Sequence, residues 1–143
     1  MSTLTRAIVL AAQHHDGQTD KGGNPYILHP LRLMLQASTE DEQITALLHD
    51  IVEDTALKLE DLRNEGFNER IIEAIDCLTR RPDETYELFI ERIKGNDLAR
   101  RVKILDLEDN CDPTRIPNPG EKDMQRLEKY RKALSVLRDQ KGE

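Results

Sequence analysis

Apolar residues recur along this chain at steps of three and four, and no run alternates apolar with polar. "LTRAIVLAAQHH" places Leu4, Ile8, Ala11, Ala12 and His15 on one helical face, and "ERIIEAIDCL" does the same with Ile71, Ile72, Ile75 and Leu78. A period near 3.6 buries one stripe of an α-helix, whereas strands require a period of two. The sequence therefore predicts an all-α, single-domain helical bundle over residues 1–143. Start and stop signals divide it. Thr39-Glu40-Asp41-Glu42 reads as a capping box for a helix that runs through "ITALLHDIVEDT". A short helix from Glu60 to Glu65 stops at Gly66, Asn68 caps the next, Pro82-Asp83 opens another, and Asp97 caps "LARRVKILDLEDN". After the loop "DPTRIPNPG", a last helix spans Glu121 to Arg138. Its i,i+4 pairs, such as Glu128 with Lys132, fit a solvated face. A second subunit packed there, making a homodimer, is the alternative.

Charge and apolar runs exclude some functions. There are 21 Lys and Arg against 28 Asp and Glu, a net charge of −7. Nucleic-acid binding needs clustered cations that release counterions, so an acidic chain of this kind argues against it. A small anionic substrate held through a metal remains open. No run approaches the ~18 apolar residues of a membrane span, and the amphipathic start carries no signal-peptide pattern. Cys77 and Cys111 lack C-x-x-C or zinc-finger spacing. A cytoplasmic protein with two reduced thiols is expected.

Two acidic clusters and one pinned histidine stand out. On a helical wheel with His49 at zero, Glu53, Asp50 and Asp54 fall at roughly 40°, 100° and 140°, opposite Ile44, Leu47, Leu48, Ile51 and Val52. Three carboxylates in the last turns of one helix oppose its dipole by about 0.3–1 kcal/mol each, and no Lys or Arg follows until Lys58. A divalent cation would reverse that local balance. In "VKILDLEDN", Asp106 lies among Ile104, Leu105 and Leu107, where a carboxylate needs a cation or an ion pair. An ion pair with Lys103 or an arginine is the competing explanation. In "GGNPYILHP", a residue before proline is pushed out of the helical region, so His29 is expected to be extended, with Pro30 opening a helix. His29, His49, Asp50 and Asp106 together form a mixed imidazole and carboxylate set suited to Mn²⁺, Fe²⁺ or Zn²⁺.

These residues resemble the HD-domain metal-dependent phosphohydrolases. "HDGQTDKGGNPYILHP", "ALLHDIVEDT" and "VKILDLEDN" are similar, in order and spacing, to the hydrolase domain of the RelA/SpoT alarmone enzymes and to the small stand-alone alarmone hydrolases. The resemblance implies an HD-type helical fold in which His29, His49, Asp50 and Asp106 bind a divalent metal, usually Mn²⁺. It implies that Glu53 and Asp54 orient or activate the attacking water, and that Lys21, Tyr26 and Asn110 lie against a nucleotide substrate. The reaction implied is removal of the 3′-pyrophosphate of guanosine tetra- or pentaphosphate. The alternatives are hydrolysis of another phosphoester, such as a nucleoside monophosphate, and nucleotide binding without turnover. Three positions depart from the family's habit. Asp20 stands where a basic residue is usual, Leu107 where one is common, and Asp109 where His or Tyr is frequent.

Overall fold

The computed structural model describes residues 2–116 and 118–138, so Met1, Pro117 and residues 139–143 of the expected domain range lie outside the described residues. The helices are α1 (Leu4–His14), α2 (Leu28–Gln36), α3 (Glu40–Leu48), α4 (Ile51–Asp54), α5 (Leu59–Glu65), α6 (Glu69–Leu78), α7 (Tyr86–Lys94), α8 (Asp97–Asn110) and α9 (Glu121–Arg138). A 3₁₀ turn occupies Pro113–Arg115. No strand forms among the described residues; one isolated bridge joins Thr19 and Pro25.

The two central helices are α3, which ends just before His49, and α8, which carries Asp106. α3 packs against α1, α2, α6 and α8, and α8 packs against α2, α3, α6, α7 and α9. Around them Leu33, Leu47, Leu48, Ile51, Ile72, Ile75, Ile93 and Leu107 are sealed from solvent in one cluster. The caps explain where the helices begin. The side chains of Thr3, Thr39, Asn68, Thr85 and Asn96 each accept an N–H from the first turn they precede. Gly66, at φ 97°, ends α5 in the left-handed region.

Several boundaries differ from expectation. Thr85, not Pro82-Asp83, opens α7, and Asn96, not Asp97, caps α8. His29 is not extended: α2 begins at Leu28, which puts His29 and Pro30 in its first turn. Proline forfeits no helical hydrogen bond there, because the first amides of a helix have no partner within it. The capping box closes on one side only. Thr39 accepts from Glu42 N–H, while buried Glu42 accepts from Ser38 N–H and pairs with Arg101 at 2.9 Å.

Glu84 is a further tie in the fold. Its carboxylate accepts two bonds from Arg92, at 2.7 and 3.0 Å, and Arg92 also donates to the carbonyls of Cys77 and Thr79. The Arg92 hydrogen bonds hold the Glu84 carboxyl at about 2. A depressed carboxyl contributes stability above its unfolded value near 4.3, and that contribution disappears as pH falls toward 2. Glu84→Gln is thus expected to be less stable than the unaltered protein at pH 7. The gap should close between about pH 4.3 and 2, which denaturant titrations across that range will check.

Candidate active site

The helix expected to run unbroken through "ITALLHDIVEDT" breaks at His49–Asp50. The His49 Nδ1 donates at 2.7 Å to the Ala46 carbonyl, the acceptor that the next helical amide would use. Asp50 takes φ −103°, ψ 0° and becomes the residue preceding α4. Glu53 and Asp54 therefore sit in a separate single turn, Ile51–Asp54, too short to build a helix dipole, and not in the last turn of a long helix. The dipole penalty expected for them does not arise. The break also turns the Asp50 carboxylate back beside His49.

His29, His49 and Asp50 each offer a donor atom within 4.8 Å of the others. Asp106 joins them from α8: its Oδ1 lies 2.8 Å from His29 Nε2 and 3.5 Å from His49 Nε2. Both imidazoles present Nε2 to the cluster, because both Nδ1 atoms are engaged elsewhere. His29 Nδ1 meets Asp109 Oδ2 at 2.6 Å, and His49 Nδ1 meets the Ala46 carbonyl. Tyr26 donates its hydroxyl to Asp50 Oδ2. Asp106 Oδ2 takes Lys103 at 2.9 Å, and Asn110 Nδ2 donates to Asp106 Oδ1 at 3.2 Å. The Asp106–Lys103 ion pair considered as a competing explanation is thus present, and it leaves Oδ1 directed at the histidines.

The charge balance suits a cation. Burial pushes the Asp50 carboxyl up, but the charge and close approach of His49, together with the hydrogen bond from Tyr26, outweigh it and hold the group at about 2. Burial likewise opposes ionisation of Asp106, and Lys103 and His49 keep it well below the ordinary range. Burial lowers both histidines, yet Asp50 and Asp106 outweigh it at His49, as do Asp106 and Asp109 at His29. His49 Nε2 is the decisive atom. It is buried and has no hydrogen-bond partner, although it lies 3.0 Å from Asp50 Oδ2. An orphaned, buried imidazole nitrogen among ionised carboxylates fits a divalent metal.

Glu53 and Asp54 lie one turn beyond Asp50. Burial and the Asp50 charge raise both carboxyls above their usual values. Lys21, Tyr26 and Asn110 line one cavity of about 530 Å³, together with Arg115, Arg126 and Tyr130. Asn110 is occupied on both ends, since its Oδ1 accepts from Arg115 at 2.8 Å. The acids around this cavity are also occupied. Asp20 Oδ1 accepts the N–H of Gly22 and of Asn24, and its Oδ2 faces Arg115 at 3.3 Å. Asp123 accepts from Gly120 N–H and Arg126.

Sequence reasoning missed the roles of Arg32, Arg115 and His15. Arg32 lies one turn beyond His29 on α2, a spacing that was available to notice. Arg115 bonds Asp20, Asp109 and Asn110 from a loop, and no local pattern signals that. His15 is buried, its ring lies tilted at 4.9 Å from that of Tyr26, and it bonds Gln18, which donates to the Asp54 carbonyl. Gly22 is packed so closely on the Arg115 backbone that a Cβ there would collide with its carbonyl oxygen. Gly22→Ala is therefore expected to destabilise the fold by about 1–3 kcal/mol, measured by denaturant titration.

Known proteins carry the same architecture. A guanosine-3′,5′-bis(diphosphate) 3′-pyrophosphohydrolase of Aquifex aeolicus is 32% identical over 118 residues, covering 76% of this chain and 17% of its own length. The bifunctional (p)ppGpp synthase/hydrolase SpoT of Escherichia coli is 31% identical over 81 residues, 54% of this chain and 11% of that protein. This chain thus spans about a sixth or less of the length of these relatives. A solved structure, described as a metazoan ortholog of SpoT that hydrolyzes ppGpp, superposes with a TM-score of 0.81. It covers 97% of this chain and 87% of its own at 21% identity, so the fold is shared. The HD domain family model matches residues 7–87. That match runs through the loop, the helices and the bend that bring His29, His49 and Asp50 together, and the chain belongs to the HD-domain family.

Proposed function

We propose that this chain is one HD-type domain, a divalent-metal-dependent phosphohydrolase whose metal is Mn²⁺. Its substrate is a pyrophosphorylated nucleotide, and the reaction is removal of the 3′-pyrophosphate of guanosine tetra- or pentaphosphate. The observation that carries the reading is the orphaned His49 Nε2 among His29, Asp50 and Asp106, beside a nucleotide-sized cavity. The names of the relatives support the substrate class. Mixed imidazole and carboxylate donors support Mn²⁺ over Mg²⁺ or Ca²⁺. Both cysteines are free thiols, and no helix among the described residues is long and apolar enough to cross a membrane, which fits work on a diffusible nucleotide in the cytoplasm.

His29, His49, Asp50 and Asp106 would hold the metal. Bound there, it supplies Lewis-acid stabilisation of phosphoryl oxygens and activation of water. Tyr26 and Lys103 keep the carboxylates of Asp50 and Asp106 turned inward. Glu53 and Asp54, one turn on, take a proton from the hydrolytic water as its oxygen bonds to phosphorus and supply one to the departing ribose 3′-oxygen. The cavity's lining holds four basic side chains, Lys21, Arg115, Arg126 and Arg131, against three acids, Asp20, Asp112 and Asp123, a small positive excess within an acidic chain. It carries Lys21 and Arg131 against the substrate's negative charge, while Arg115 and Arg126 pair with Asp20 and Asp123. Asp20 in place of a cation therefore does not present a free negative charge to the nucleotide.

Pyrophosphate release from guanosine 3′,5′-bis(diphosphate) with Mn²⁺, compared between the unaltered chain and Asp50→Ala, tests the reading. Release is expected, and it should vanish in the variant. Turnover of a different nucleotide with none of this substrate would leave a phosphohydrolase and overturn the alarmone assignment. Tight nucleotide binding with no product from any nucleotide would replace the enzyme by a binding module.

A further inference from the structure

We infer that Asp109 is a positioning residue of the metal centre: it fixes the ring orientation and tautomer of His29, and Arg32 and Arg115 hold it in that role. The inference rests on the metal reading above and is independent of which nucleotide is cleaved.

A histidine that ligates through Nε2 must carry its proton on Nδ1, so something must accept that N–H. His49 solves this locally, with a carbonyl of its own helix three residues back. His29 stands in the first turn of α2, where the preceding carbonyl of Tyr26 already takes its backbone amide at 2.9 Å. Its acceptor has to come from elsewhere in the fold. α8 provides it. Asp106 and Asp109 lie three residues apart on one helical face and bracket the ring, Asp106 at Nε2 and Asp109 at Nδ1.

Asp109 is well fixed for this purpose. Its side chain is only 7% exposed. Arg32 Nε donates to Oδ1 at 2.8 Å, Arg32 Nη2 to Oδ2 at 2.9 Å, and Arg115 Nη1 to Oδ2 at 2.9 Å. Arg115 is in turn anchored by Asp20 and Asn110. A guanidinium fork on both oxygens sets the carboxylate plane, so that Oδ2 stays aimed at His29 Nδ1. The departures at positions 20 and 109 thereby explain one another: an acid at 109 needs Arg115, and Arg115 needs a second acid at 20. The three form one bonded chain that ends on His29.

The test is Co²⁺ affinity, measured by competition with a chromogenic chelator in the absence of nucleotide, for the unaltered protein, Asp109→Asn and Arg32→Gln. Asp109→Asn is expected to weaken Co²⁺ binding by about 10- to 100-fold with helical content retained. Unchanged affinity in a folded Asp109→Asn protein overturns the inference, even if its melting temperature falls, since that is what a merely structural ion pair would do. Should Asp109→Asn fail to fold, Arg32→Gln decides: it leaves the acceptor in place but frees one side of it. A several-fold weakening supports the inference and unchanged affinity overturns it. Failure of the unaltered protein to bind Co²⁺ would remove the metal reading and this inference with it. Failure of the alarmone assay alone touches neither.

Discussion

His49→Ala is expected to abolish metal-dependent hydrolysis and metal-dependent stabilisation together. The loss of turnover should be at least about a thousandfold, equivalent to about 4 kcal/mol of barrier. The reason is geometric. His49 Nε2 lies within 3.0 Å of Asp50 and 3.5 Å of Asp106, so its removal takes away a donor and leaves the two carboxylates facing a gap. In the unaltered protein, Mn²⁺ at a hundred times its dissociation constant should stabilise the fold by about 2.7 kcal/mol, roughly 8 °C in melting temperature. The variant should show no such rise. Thermal melts with Mn²⁺ and with chelator, run beside the pyrophosphate assay, read both effects. A variant that still melts higher with Mn²⁺ would show that the ion binds elsewhere.

Glu53→Gln and Asp54→Asn are expected to behave differently. Each should lower kcat by about 10²- to 10⁴-fold, the usual contribution of a positioned acid or base. Neither belongs to the His29, His49, Asp50 cluster, so the Mn²⁺-dependent rise in melting temperature should persist in both. The separation of the two readouts is the point. Loss of kcat with metal stabilisation intact assigns the pair to proton transfer. Loss of both would make them part of the metal's surroundings, and unchanged kcat would remove them from the mechanism. Gln18 donates to the Asp54 carbonyl and bonds buried His15, so the turn that carries Asp54 is anchored and a local substitution should not unfold it.

Much of the helical layout was readable because its causes are local. Apolar spacing marks α6 and α9, Asn68 caps the first of these, and Gly66 ends α5, each within a turn or two of chain. The Asp106–Lys103 pair and the Asn110 bond to Asp106 are likewise i,i+3 and i,i+4 relations. Where local signals competed, reading them from sequence failed. Pro30 suggested a helix start after His29, yet the first turn tolerates proline at any of its early positions, and α2 starts at Leu28. The break at His49–Asp50 has no proline or glycine to announce it. It is marked by an imidazole bonding a helical carbonyl, which depends on the rotamer the surrounding packing imposes on His49.

The chemistry of the site divides in the same way. By itself the sequence singled out the candidates: a histidine before proline, a His-Asp pair with Glu and Asp one turn on, and an aspartate among leucines. Only the tertiary structure decided how they are aimed. His29 meets Asp106 and Asp109 across 77 and 80 residues, and Asp20 meets Arg115 across 95. Residue type and short spacing encode propensity and the partners within one helical turn. The tautomer of a ligand histidine, the pairing of an out-of-place acid and the sign of a cavity's field depend on which surfaces the folded core presses together. No local pattern records that.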